Sequence, residues 1–248
     1  MTGLELRPAI FPAVDLRGGR CVRLVRGARD AEIGYQGDPV ETARRWAREG
    51  AEWIHAIDLG AALGETDNRE SILAIAREVA VPVQAGGGLR EEEPVEKLLR
   101  GGVRRVILGT RALEEPGFLE RMLERHGPER IVLALDLAGD EVKVRGWEEE
   151  SGLDLSAGLR FAREKGVEHL LITAIERDGT LEGPAVPLIE RALQSGASVV
   201  AAGGIGSLEH IRALLELRHP RLEGVVVGRA LYEGRFSLAQ AEAALANA

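Results

Sequence analysis

Eight short runs of apolar, largely β-branched residues recur along this chain, each followed by an amphipathic stretch. They are AIFPAVD, WIHAID, VPVQAG, RVILG, IVLALD, HLLITA, SVVAAG and GVVVG. Their near-continuous apolar character suits strands buried on both faces, as in a parallel sheet covered by helices. The segments between them carry the helical period: in DPVETARRWAREG, Val40, Ala43, Trp46 and Ala47 share one face. Eight such units in 248 residues predict an α/β fold closed as a (β/α)8 barrel, one domain over residues 1–248. A doubly wound open sheet is the other use of the same alternation.

An internal repeat favours closure. Asp15 and Asp136 end the first and fifth runs, 121 residues apart. Gly86 and Gly203 end the third and seventh, 117 apart, and Gly109 and Gly228 the fourth and eighth, 119 apart. A nearly constant offset of half the chain predicts two four-stranded half-barrels related by a pseudo-two-fold axis.

In such barrels ligands meet the carboxyl ends of the strands, and phosphate groups often sit near the seventh and eighth. Paired glycines behind a strand let backbone N–H groups approach an anion. Gly203 and Gly204, with Gly228 and Arg229, form one such candidate cluster. Gly87 and Gly88, with Gly109 and Thr110, form its repeat. Two clusters on opposite sides of one mouth predict a ligand with a phosphate at each end; the alternative is that the glycines serve tight turns alone. Between the clusters stand Asp15 and Asp136, which could divide acid and base work. Thr173 and Asp178 are candidate hydrogen-bonding support, and Asp58 a candidate cap.

Composition removes several functions. A net charge of −8 argues against nucleic acid or an anionic membrane as partner. No apolar run approaches the roughly 18 residues of a membrane span. The opening MTGLELRPAIFPAVDL puts charges where a signal peptide has its apolar centre. One cysteine, Cys21, fits a reducing cytoplasm. The five histidines show no metal-ligand spacing, and no Walker A, GxGxxG or GxSxG motif is present. Metal-free, cofactor-free proton transfer on a small bis-phosphorylated molecule is the expected chemistry.

The segments PAVDLRGGRCVRLVRG, VPVQAGGGLR, RVILGTRAL, LALDL, VRGW, ERDGTLEGP, AAGGIGSLE and GVVVGRALYEGRF, in this order, resemble the ProFAR isomerase family of histidine biosynthesis. The resemblance implies a half-barrel-repeat (β/α)8 fold and an Amadori rearrangement of a bis-phosphorylated ribotide, catalysed by a monomer without cofactor. It implies Asp15 as proton acceptor and Asp136 as donor, with Asp178 as rival donor and Thr173 in support. It also implies two phosphate clusters as above, Arg23 as a substrate contact and Trp147 as a loop residue stacking on the aminoimidazole. Leu59, Gly60 and Ala61 after the second strand, and Ala174 after Thr173, depart from the family pattern. Three other readings remain: the sister cyclase of imidazole glycerol phosphate synthase, a bifunctional isomerase whose Arg145 holds an anthranilate carboxylate, and a non-catalytic phosphosugar-binding barrel.

Overall fold

The computed structural model describes residues 7–35 and 37–246; the outermost residues of the expected 1–248 domain lie outside them. Eight parallel strands form a ring: β1 (Ala9–Arg17), β2 (Ile54–Asp58), β3 (Val83–Gly86), β4 (Arg105–Leu108), β5 (Ile131–Ala138), β6 (His169–Ala174), β7 (Ser198–Ala202) and β8 (Leu222–Val227). Each pairs with its sequence neighbour, and β8 returns to pair with β1, from Ala9 opposite Gly224 to Pro12 opposite Val227. The expected (β/α)8 barrel is therefore what the chain forms, and the open sheet is excluded.

Side-chain parity along each strand builds two concentric cores. In β1, Ile10, Val14 and Leu16 point outward and join a large cluster shared with the helices, including Trp46, Ile72, Leu98, Phe118 and Ile211. Ala9, Phe11 and Ala13 point inward and meet Ile107, Val132, Ala134, Leu171, Val200 and Val226 inside the ring. Asp15 continues that inward row and lies 6% exposed at its top. Asp136 continues the row of Val132 and Ala134 in the same way.

The half-barrel repeat reaches beyond the strands. β1 and β5 each run past their aspartate and turn into an antiparallel ribbon, Arg20–Val25 with Ala28–Gly34 in one half and Glu141–Val144 with Glu149–Asp154 in the other. The turns repeat as well. Arg26 and Gly27 have φ of 53° and 69°, and so do Arg145 and Gly146, 119 residues later. In the first ribbon these two residues are the whole loop, the turn that matches strand twist in a hairpin; the second loop spans residues 145–148, and Trp147 also has positive φ, 73°. The signal was in the sequence as VRGA and VRGW, read there only as part of a resemblance.

Asp58, at the end of β2, is fully buried and caps the short helix Leu59–Ala62. It accepts hydrogen bonds from Ala61 N (2.9 Å), Asn68 N (2.6 Å) and Asn68 Nδ2 (2.6 Å). The capping reading of this residue is thus correct. No described helix is long and apolar enough to cross a membrane.

Asp58→Ala strands three donors in a closed site, and charge-assisted bonds of this kind make the loss about 3 kcal/mol. For a chain of this size that corresponds to a Tm drop of roughly 6–12 °C, with Asp58→Asn losing less. Calorimetry checks both, and a drop under about 2 °C for Asp58→Ala would exclude the buried network as a determinant of stability.

Candidate active site

The inward rows end in a cavity of about 210 Å³ at the carboxyl ends of the strands. Asp15, Arg23, Gly87, Gly88, Gly109, Thr110, Asp136, Trp147, Thr173 and Asp178, all expected as site residues, line it. Four others, Gly203, Gly204, Gly228 and Arg229, do not line this cavity. Of these, Gly228 lies beside Arg23, whose guanidinium stands 3.4 Å from where a Cβ on Gly228 would lie, while Arg229 Nη1 donates to Gly179 O (2.8 Å).

Arg23 is neither solvated nor free. Only 13% of its side chain is exposed; Nη1 donates to Asp15 Oδ2 (2.6 Å), and Nη2 forms an ion pair with Asp178. Ribbon geometry makes this possible. The ribbon folds over the mouth, where Arg26 N donates to Asp178 O (2.9 Å). Asp178 is 7% exposed, and burial drives its pKa up to about 6; Arg23 opposes the rise, while Asp15 and Asp136 add to it.

Among the described residues Asp136 forms no ion pair, although Lys143 stands opposite it in the second ribbon. Burial raises its pKa, and hydrogen bonds from Thr173 and Trp147 offset only part of the effect. Thr173 reaches it because β5 and β6 pair with these two residues side by side. Trp147 reaches it from the second ribbon, its Nε1 donating to Oδ2 at 2.9 Å. The indole lies against Gly27 of the first ribbon so closely that a methyl group there would overlap the ring. Trp147, expected from the sequence to stack on a heterocycle, thus donates to the Asp136 carboxyl.

The glycines divide by cause. Gly87, Gly88, Gly203 and Gly204 all have φ between 66° and 100°. A Cβ would press Gly87 into the Asp58 backbone, Gly88 into Ala61, Gly203 into Ala174 O and Gly204 into Gly183 O. Fold geometry alone therefore demands glycine at these four positions, whatever else they do. Gly109 and Gly228 precede the helical turns Thr110–Glu114 and Arg229–Tyr232. Thr110 Oγ1 accepts from Arg145 N at 2.8 Å, and Arg145 Nε pairs with Glu114 at 2.8 Å, which ties the second ribbon to the end of β4.

His55, Lys143 and Arg145 also line the cavity. Metal-ligand spacing does not mark His55; strand parity does, because it sets His55 inward with Ile57.

The sequence profile of the histidine biosynthesis protein family matches residues 9–237. A relative from Desulforudis audaxviator is 45% identical over 234 residues, 94% of this chain and 89% of its own. One from Moorella thermoacetica is 43% identical over 243 residues, 96% and 98% of the two chains. One from Thermomicrobium roseum is 45% identical over 228 residues, 91% and 93%. Each is named 1-(5-phosphoribosyl)-5-((5-phosphoribosylamino)methylideneamino)imidazole-4-carboxamide isomerase. The chain belongs to the histidine biosynthesis protein family.

A carboxyl with a raised folded-state pKa favours folding while protonated and opposes it once ionised. Its contribution is fully present below the ordinary carboxylate value near pH 4 and is lost as pH rises through the raised one. Asp136→Asn keeps the shape and removes the titration. The variant is therefore expected to melt above the parent at pH 8, with the gap closing toward pH 4. Equal melting temperatures across that range would contradict the burial that raises the pKa of Asp136.

Proposed function

We propose that this member of the histidine biosynthesis protein family is an isomerase carrying out the Amadori rearrangement of ProFAR, the bis-phosphorylated ribotide of its relatives' names, as a single-domain, cofactor-free monomer of the cytoplasm. The observation that carries the assignment of roles is the contrast between two carboxyl groups that reach one cavity from the opposite strands β1 and β5. Asp15 is held by a guanidinium, whereas Asp136 forms no ion pair among the described residues and its proton is favoured by burial. Unlike environments of this kind separate a base from an acid.

In this reading Asp136 gives its proton to the furanose oxygen as the C1–O bond breaks, leaving an open-chain Schiff base. Asp15 then takes the C2 proton, and the resulting enolamine tautomerises to the aminoketose. Thr173 holds the Asp136 carboxyl, and Trp147 leaves it to stack on the aminoimidazole. Gly87, Gly88, Gly109 and Thr110 receive one phosphate. Gly203, Gly204, Gly228 and Arg229 receive the other, with Arg23 between the second cluster and the cavity as a substrate contact.

Asp178 is the rival acid, since its pKa near 6 also keeps a proton available. Arg145 on the cavity wall is the reason to test phosphoribosyl anthranilate beside ProFAR.

Asp15→Asn should lower kcat on ProFAR about 10³-fold, within the range for a lost general base, while calorimetry still detects binding. Full-rate turnover would remove Asp15 from the role of base. The acid is separated by the pH dependence of kcat/KM: an acid at Asp178 places the alkaline limb at about pH 6, and that limb must vanish in Asp178→Asn. Survival of the limb in Asp178→Asn and its loss in Asp136→Asn would assign the donor to Asp136.

A further inference from the structure

Below the cavity, the interior of the barrel is not wholly apolar. Arg105, at the start of β4, is 2% exposed, and its guanidinium lies inside the ring, 4.2 Å from the centre of the Trp53 indole. Its Nη1 donates to Glu223 Oε1 at 2.6 Å, and Glu223 Oε2 lies 2.9 Å from His169 Nδ1. Its Nε donates to Gln84 Oε1 at 3.1 Å. The Gln84 amide, itself fully buried, places Nε2 2.7 Å from His55 Nδ1. A string of four polar side chains thus climbs from the closed end of the barrel to a residue on the cavity wall.

The direction of the bonds from Arg105 through Gln84 to His55 follows from one fact. A guanidinium can donate but never accept. The Gln84 atom facing Arg105 must therefore be the oxygen, so the atom facing His55 must be the NH₂ group. His55 Nδ1 must then accept, and a neutral imidazole that accepts at Nδ1 carries its proton on Nε2. Burial, with Arg23 and Arg105 nearby, lowers the His55 pKa to about 3, so the ring stays neutral at ordinary pH. Among the described residues nothing engages Nε2.

We propose that Glu223, Arg105 and Gln84 are positioning residues that fix the tautomer of His55, so that the cavity floor offers bound ligand an uncharged N–H donor. Their buried polar atoms make the inner core costly to assemble, and a packed apolar core would close the barrel as well. What the string adds is polarity with one sense only. A neutral donor suits a site whose walls already carry Asp15, Asp136 and Asp178, because it orients a hydroxyl or carbonyl oxygen without neutralising the carboxyl that must act as base. The use of that donor in turnover rests on the proposed isomerase reaction; the tautomer itself does not.

The test uses the whole protein with ¹⁵N-labelled histidine. Long-range proton–nitrogen correlation spectra report which ring nitrogen of His55 carries the proton, and ProFAR turnover is measured on the same samples. The expected parent spectrum is the Nε2–H form. Arg105→Lys, also a pure donor, should keep that form and stay within about threefold of parental kcat. Arg105→Met lets the Gln84 amide turn over, so the spectrum should become a mixture of tautomers. Gln84→Glu can only accept, so His55 should place a proton on Nδ1 and kcat should fall at least tenfold, with KM changing less.

An Nδ1–H form in the parent would overturn the proposal outright. So would an altered tautomer in Gln84→Glu with unchanged kcat, since the donor would then have no use. If Gln84→Glu does not fold, the lysine and methionine variants decide the matter by the same spectra. An Nε2–H parent that does not turn over ProFAR would count against the proposed reaction and leave the tautomer assignment standing.

Discussion

In a closed ring of parallel strands every strand has two neighbours, so no side chain can change face without shifting the register of the whole ring. That constraint places the chemistry. Asp15 faces the cavity because Phe11 and Ala13 fill the core beneath it; Asp136 does so above Val132 and Ala134. Six consecutive residue pairs between β5 and β6, ending beyond Thr173 and Asp136, set the hydroxyl beside the carboxyl. The longer helices pack against the outward rows and hold the inward rows in phase, while the short helical turns after β2 and β4 bring Leu59, Ala62, Thr110 and Arg111 to the cavity.

The mouth concentrates charge that the core would not tolerate unpaired. Arg23 binds Asp15 and Asp178 together, yet its Nε is buried without a partner. Burial raises Asp178 and Asp136 together. Such groups cost stability in the folded chain, and they stand where a ligand with polar groups can take over the missing contacts. Gly27 and Trp147, from opposite ribbons, close the same region from above.

Strand order, ring closure and the two repeated aspartates were legible in the sequence, because period-two burial and a half-chain offset leave marks on single residues. The glycine pairs were legible as turns with positive φ. Their need for close backbone contact was not, since the partners, Asp58, Ala61, Ala174 and Gly183, come from other loops. Arg23 could not be placed from sequence, because its bridge joins residues eight and 155 positions away. The inner polar string was hidden for a different reason. Arg105 opens a run that otherwise reads as apolar, and Gln84 sits inside one, so each looked like an incidental polar letter in a strand.

Trp147 marks where the two halves stop being alike. The ribbons share the turn Val-Arg-Gly, but the next residue is Ala28 in one and Trp147 in the other. A mouth built from two equal halves would admit a two-ended molecule in either sense, and half of those arrivals would present the wrong end to the carboxyl groups. With an indole on one side and a methyl group on the other, the two sides of this mouth are unequal. Duplication supplies a symmetrical frame, and side chains without a match in the other half, Trp147 among them, give that frame a left and a right.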